Sequence, residues 1–190
     1  MQRSQQQQAQ LDYRALVEAA DAGKPEDAAK LAATLRSDHA KSAYASLSSL
    51  RDAADAMKRG DLDAAAAALE WSHANSSFPA LKELAALRLG QVRLAQGKAD
   101  EALRLAGEAG VGGFKGLAAE LRGDALLALD RGVDARAAYE EALASLDAGA
   151  PQRAYIEMKR DEAPLAATPA TPATPAAPAV TGWERVQSGW

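Results

Sequence analysis

Several features are scarce or missing in this chain of 190 residues, and each absence narrows the class of protein it can be. There is no cysteine, which excludes disulfides, thiolate metal ligands and cysteine nucleophiles but leaves the compartment open. Aromatic residues make up only 5%, which argues against a β-sandwich core. No uninterrupted apolar run reaches the about 18 residues of a membrane span, and the amino end lacks the apolar core of a signal peptide.

The charged residues exclude further classes. The formal net charge is −4, and Lys and Arg are interspersed with Asp and Glu instead of forming the basic face that nucleic acids require. No nucleophile elbow, phosphate-binding loop or dinucleotide fingerprint is present. The two histidines, His39 and His73, have no second ligand at the spacing of a metal motif, and His39 is expected to cap a helix end. We therefore expect no enzyme activity, cofactor, metal, nucleic acid or small-molecule substrate.

The chain is rich in alanine and in apolar residues at helical spacing. Much of its 48% apolar content is alanine, the strongest helix former. Apolar residues recur at three- and four-residue spacing between Gly and Pro breaks, which predicts nine helices. These cover 11–22, 25–37, 42–59, 61–74, 79–96, 99–108, 114–130, 133–146 and 151–162. The expected organisation is a frayed polar segment at 1–10, a helical domain at 11–163 and a disordered Ala/Thr/Pro-rich tail at 164–190, whose last nine residues are a docking motif or unrelated vector sequence.

Two adjacent segments of the chain resemble each other at an offset of 33 residues. Such a period is the signature of stacked helical hairpins, in which a small residue in the first helix lets the second pack closely. The spacing resembles the tetratricopeptide repeat, with Tyr139 as the larger residue of the second helix. The positions expected to hold the repeat together are Gly90, Ala102, Gly123, Ala135, Tyr139 and Ala142. We predict an all-α fold of about four hairpins and a closing helix, arranged as a short right-handed superhelix.

The concave face of such an array, lined by the first helix of each hairpin, is the expected binding surface. Its predicted lining residues are Leu47, Leu50, Met57, Leu84, Leu87, Gln91, Leu94 and Leu127. This face lacks the Lys and Asn residues with which some tetratricopeptide domains hold a peptide carboxylate. An apolar groove of this kind suits a hydrophobic or amphipathic segment of a partner protein. Two alternatives are that the closing helix at 151–162 fills the groove, or that two copies pair through it.

The order of features is also similar to the YfgM family, the ancillary subunit of the bacterial SecYEG translocon. The resemblance covers about 11–159 and is most specific at 87–92, 118–127, 135–139 and 156–159. It implies a non-enzymatic periplasmic domain that links the translocon to a chaperone of the PpiD type and assists newly translocated proteins.

The resemblance also implies an anchor in the inner membrane formed by one amino-terminal helix. That helix is missing from this sequence, so we expect the chain to be the soluble ectodomain of a longer protein, at the periplasmic face of the membrane. The Ala/Thr/Pro-rich tail extends beyond the usual end of the family. The alternative functions are a scaffold for outer-membrane assembly or cell division, and a cytosolic co-chaperone.

Overall fold

The computed structural model describes residues 2–164, with side chains from residue 4 onward. Its helices match the predicted ones closely, except that the first begins earlier. They are α1 (Gln2–Asp21), α2 (Pro25–Asp38), α3 (Ala43–Lys58), α4 (Leu62–Asn75), α5 (Pro79–Ala95), α6 (Ala99–Ala109), α7 (Lys115–Ala128), α8 (Gly132–Ala144) and α9 (Arg153–Glu162). The tail predicted for 164–190 lies outside the described residues from position 165 onward.

The amino end differs from the expectation that 1–10 frays, because α1 is already helical at Gln2. Ala9 is completely buried and belongs to the apolar cluster of the first hairpin. Gln8 Nε2 donates a hydrogen bond to Asp12 Oδ1, one helical turn later, at 2.8 Å. The composition of this polar segment alone suggests disorder. The burial of Ala9 and side-chain pairs such as Gln8 and Asp12 explain why the helix extends through it.

The helices form two layers. Four hairpins pair α1 with α2, α3 with α4, α5 with α6 and α7 with α8. Helices α1, α3, α5 and α7 also contact one another in order, and we call them the inner layer; α2, α4, α6 and α8 form the outer layer. Among the described residues, no two outer helices contact each other as extensively as neighbouring inner helices do. The inner helices are therefore closer together, and the inner layer forms the concave side of the array. Helix α9 packs against α8. The predicted fold of stacked helical hairpins is confirmed.

The turn from each inner helix to its outer partner has one repeated backbone geometry. Each turn contains one residue with positive φ: Gly23 (69°), Gly60 (74°), Gly97 (76°) and Asp130 (57°). In the second hairpin the N–H of Gly60 donates to Met57 O at 3.0 Å, and the N–H of Asp61 donates to Ala56 O at 3.0 Å. The other three turns contain the same pair of bonds, which is the Schellman arrangement that ends a helix.

These turn residues correct the predicted period. Gly97 and Asp130 are 33 residues apart, as predicted, whereas Gly23 to Gly60 and Gly60 to Gly97 are both 37. The last full repeat is four residues shorter because α6 and α7 have 11 and 14 residues, against 14 and 17 in α4 and α5, while the connection between them is two residues longer. The fourth turn has Asp130 where the others have glycine, so glycine spacing does not reveal it. Aspartate is one of the few other residues that adopt the left-handed conformation.

Small residues allow neighbouring helices to approach closely, both within a hairpin and between inner helices. A Cβ atom at Gly123 would lie 2.4 Å from the ring of Tyr139, and one at Gly90 would lie 2.6 Å from Leu121 Cδ2. Both distances are far below van der Waals contact, so these glycines hold space for the large side chains opposite them. The other predicted repeat positions, Ala102, Ala135, Ala142 and Tyr139, are all completely buried.

Helix starts follow the sequence signals. Pro25 and Pro79 open α2 and α5, where a missing amide hydrogen costs nothing. The Asp61 carboxylate, predicted as a cap, accepts a hydrogen bond from the N–H of Ala64 at 2.9 Å. Ser42 caps α3 in the same way, since its hydroxyl accepts from the N–H of Ala45 at 3.1 Å.

Helix α3 carries an unusual buried polar strip. Ser46, Ser48 and Ser49 are completely buried, and within the part of the chain that the structure describes their hydroxyl groups have no hydrogen-bond partner. Ser72 of α4 is equally buried, and its hydroxyl donates to the Ser46 carbonyl at 3.5 Å, a long bond. The small size of serine suits the close packing here, while its hydroxyl reduces stability because it loses hydration without a replacement.

Replacing Gly123 with alanine should lower the free energy of unfolding by about 1–3 kcal/mol, because the added methyl group overlaps the Tyr139 ring. Gly107, in α6, is the matched control, since a Cβ there meets nothing within 4 Å. Gly107→Ala should raise the free energy of unfolding by up to about 1 kcal/mol through helix propensity. Urea titrations followed by circular dichroism measure both. Equal effects of the two substitutions would contradict the close packing described above.

Replacing Ser49 with alanine should raise the free energy of unfolding by about 0.5–1 kcal/mol, because it removes an unpaired buried hydroxyl and improves helix propensity. Ser72→Ala should give a smaller gain, because it also removes a hydrogen bond. Chemical denaturation of both variants tests this. A loss of stability in Ser49→Ala would mean that its hydroxyl is paired in solution.

Candidate functional site

The inner layer exposes two rows of apolar side chains. The first row is Leu47, Leu84 and Leu117, and the second row is Met57, Leu94 and Leu127. Members of the second row are equivalent, since each carbonyl accepts the hydrogen bond of the positive-φ turn residue three positions later. Each member of the first row lies ten residues before its second-row counterpart on the same helix. The two rows are therefore repeated features of the array and not chance exposures.

The side chains in these rows reach solvent. Met57, Leu117 and Leu127 are 43%, 40% and 42% exposed. The remaining members, Leu47, Leu84 and Leu94, are partly buried because they also pack against the apolar core of α3 to α7. Ten residues of helix correspond to about 15 Å, which separates the rows. Neighbouring helices in contact lie about 8–10 Å apart, which sets the spacing along each row. Between the rows lie small or polar side chains, among them Ala54, Gln91 and Asp124, so the centre of this surface is shallow.

Two of the predicted lining residues are not on this surface. Leu50 and Leu87 are only 5% and 3% exposed and belong to the central apolar cluster that extends from α3 to α7. They were assigned to the groove because the repeat motif was projected without knowing which side of each inner helix its partner covers. The other predicted residues, Leu47, Met57, Leu84, Gln91, Leu94 and Leu127, keep at least part of their surface accessible.

The sequence analysis missed Leu117, the first-row member on α7. Its signal was available, because Leu117 lies 33 residues after Leu84, which is the offset between the last two repeats. It was overlooked because the predicted α7 was aligned only through Gly123 and its neighbours. With Leu117 included, three successive inner helices each contribute one residue to each row.

The closing helix covers this surface only at α7, where Lys159 of α9 bonds to Asp124. In the described residues α9 packs on α8, and it does not pack against α3 or α5, which carry most of the two rows. Met57 and Leu127 remain substantially exposed with α9 in place. The closing helix therefore leaves the parts of the two rows on α3 and α5 uncovered, and pairing of two copies through the rows stays a prediction.

A polar cluster instead connects α9 to α7 and α8. The Lys159 ammonium group lies 2.8 Å from Glu120 Oε1 and 2.9 Å from Asp124 Oδ2. The Tyr139 hydroxyl donates to Asp124 Oδ1 at 2.8 Å. Burial and this bond to the carboxylate raise the pKa of Tyr139. Burial lowers the pKa of Lys159, but its bonds to Glu120 and Asp124 outweigh burial and raise it overall. The proton positions are therefore fixed near neutral pH, which suits a structural role.

Both histidines are paired with carboxylates from distant parts of the chain. His39, the residue that caps α2 as predicted, has its Nε2 atom 3.3 Å from Asp12 Oδ2. His73 Nε2 lies 2.9 Å from Glu108 Oε2. These partners were invisible in the sequence because the fold brings them together from other helices. Among the described residues, no cluster of three or more His, Asp or Glu side chains could hold a metal ion.

A separate cleft of about 790 Å³ lies at the edge of the array, between the start of α1 and the connection from α2 to α3. Its walls combine polar and apolar surface and include the side chains of Gln5, Gln6, Gln10, Lys41 and Tyr44. It does not include any member of the two apolar rows. The cleft occurs once, at one end of the array, whereas the apolar rows recur on three successive inner helices and remain the candidate protein-binding surface.

Within residues 2–164, none of the helices has both the length and the apolar character needed to cross a membrane. Comparison with curated proteins and with solved structures gave no match. The family model of the tetratricopeptide repeat-like domain matches residues 1–164, a range that contains all nine helices of the described residues. Domains of this kind act through protein–protein interaction, in agreement with the exposed apolar rows. The chain belongs to the tetratricopeptide repeat-like domain family.

Proposed function

We propose that this protein is a non-enzymatic linker between the SecYEG translocon and a periplasmic chaperone of the PpiD type, and that it assists newly translocated proteins. The specific partners rest on the sequence resemblance at 87–92, 118–127, 135–139 and 156–159. Membership of a repeat family that mediates protein interaction supports the general role. The proposed location is the periplasmic face of the bacterial inner membrane, with attachment through an amino-terminal helix outside this sequence.

The observation that carries the binding mechanism is the pair of apolar rows on the inner layer. Successive members of a row are about 8–10 Å apart, which is close to two turns of an α-helix, about 11 Å. An amphipathic helix lying across α3, α5 and α7 therefore presents an apolar side chain to each member of a row when its own apolar residues recur every seven positions. Exposed alanines beside the second row, Ala95 and Ala128, leave room for such a helix to approach.

The polar groups of the described residues support a role without catalysis. Tyr139, Lys159, Glu120 and Asp124 bond to one another, as do the histidines and their carboxylates. Catalysis by such side chains needs an acid or base directed at a substrate, with a pKa near the working pH. The pKa values of Tyr139 and Lys159 are raised away from neutral pH, so both groups stay protonated.

The double substitution Met57→Asp and Leu127→Asp should reduce binding to purified SecYEG or to the purified chaperone at least tenfold. It places a charge at two exposed positions of the second row, where a partner's apolar side chains must lose water. Binding is measured by biolayer interferometry with the 190-residue chain immobilised. Circular dichroism should show unchanged helix content, because both positions are exposed.

Val133→Asp is the matched control for this experiment, because Val133 is 41% exposed but lies on the outer layer. It should bind as the wild type does. If the control loses binding equally, or the double variant keeps it, the inner surface is not the binding site. If the wild-type chain binds neither partner but captures outer-membrane assembly, division or cytosolic chaperone proteins, the translocon function is wrong and the fold assignment stands.

A further inference from the structure

Helix α9 ends the described array, and no further hairpin of the described residues packs against its outer side. Of its three large apolar side chains only Ile156 is buried, whereas Tyr155 and Met158 are 54% and 47% exposed. Its connection to α8 spans residues 145–152, longer than the other connections between hairpins. At ten residues α9 is also too short to remain helical on its own in water. Its helical state therefore depends on contacts with α7 and α8, which are made by Ile156, Ala163 and Lys159 and by the bond from Arg136 Nη1 to the Arg160 carbonyl.

The surface beneath α9 has a clear chemical preference. It combines an apolar floor that includes Leu126, Ala138 and Leu143 with the two carboxylates Glu120 and Asp124 at its edge. Ile156 occupies the apolar part, and the Lys159 ammonium group lies between the carboxylates, with Lys159 and both acids mostly shielded from solvent. Without Lys159, two neighbouring carboxylates would be left without a cation, which is costly in a shielded position.

We propose that this surface is a second docking site, which takes an amphipathic helix of a partner protein in exchange for α9. The partner helix carries a large aliphatic residue and a Lys or Arg three positions later, the pattern of Ile156 and Lys159. Charge complementarity to the carboxylates selects a basic helix, and the apolar floor selects its aliphatic residue. This site lies at the end of the array and uses no side chain of the two apolar rows, although it adjoins their surface at Asp124. The proposal does not require the proposed function.

A fluorescein-labelled peptide with the sequence of 150–164 is a direct probe, because it contains the pattern. The full chain carrying Lys159→Glu releases α9, since a third carboxylate is placed beside Glu120 and Asp124. The peptide should bind this variant at least tenfold more tightly than the wild-type chain, in which α9 competes from the same molecule. The matched control is Met158→Asp, which changes the exposed side of the same helix and should bind as weakly as the wild type.

A peptide with Glu in place of its lysine should lose this binding at least tenfold. Ile156→Asp releases α9 by a different route and should reproduce the result of Lys159→Glu. The proposal is overturned if the peptide binds neither releasing variant, or if it binds Met158→Asp equally well. A dimer of the wild-type chain that forms through exchange of α9, detected by sedimentation as concentration rises, would assign the surface to a second copy and overturn the assignment to a partner.

Hydrogen exchange tests the proposal on the wild-type chain, so its result does not depend on whether a substituted chain folds. If α9 leaves its site while the array stays folded, its amide hydrogens should exchange at least tenfold faster than those of α7 and α8. Equal protection of the three helices would show that α9 opens only when the whole array unfolds. That result would overturn the proposal.

Discussion

The close approach of neighbouring helices is the constraint on which the rest of this structure depends. The core is built mostly from alanine, and two glycines make room for the largest side chains opposite them, Tyr139 and Leu121. Each hairpin buries its apolar face only against the next, so the array has no single centre. Because the outer helices separate while the inner helices stay in contact, the same packing produces a concave layer of repeated side chains. The binding surface is thus a consequence of how the array is held together.

Most of the fold was predictable because the signals are local. Glycine and proline breaks marked the helix ends, and a single pair of similar segments identified the repeat. The period was only partly correct, since Asp130 replaces glycine at the fourth turn and α6 and α7 are shorter than their counterparts. The start of α1 was missed because its helical extension depends on the burial of Ala9 against other helices. Contacts between distant residues decided the start of α1, whereas the change of period follows from the helix lengths.

The candidate site was harder to predict than the fold, for a related physical reason. An alanine-rich helix has apolar residues on several sides, and periodicity alone does not tell which side the next hairpin covers. Leu50 and Leu87 were therefore assigned to the groove although they are buried, while Leu117 was missed although it is exposed. The contacts of His39, His73 and Lys159 with carboxylates join residues from separate helices, so no sequence spacing reveals them. Once the four positive-φ turn residues are aligned, the equivalent positions of the inner helices, and with them the two rows, can be assigned.

The measurement that tests the central claim most directly is site-specific photocrosslinking from the inner layer. A photoreactive residue placed at Leu117 or Leu127 samples each row, and one at Val133 samples the outer layer at similar exposure. After irradiation with the purified translocon and chaperone, mass spectrometry locates the crosslinks. The account predicts crosslinks to a partner helix from Leu117 and Leu127 and few from Val133. Crosslinks from Val133 alone would contradict it, because the partner would then lie on the outer layer.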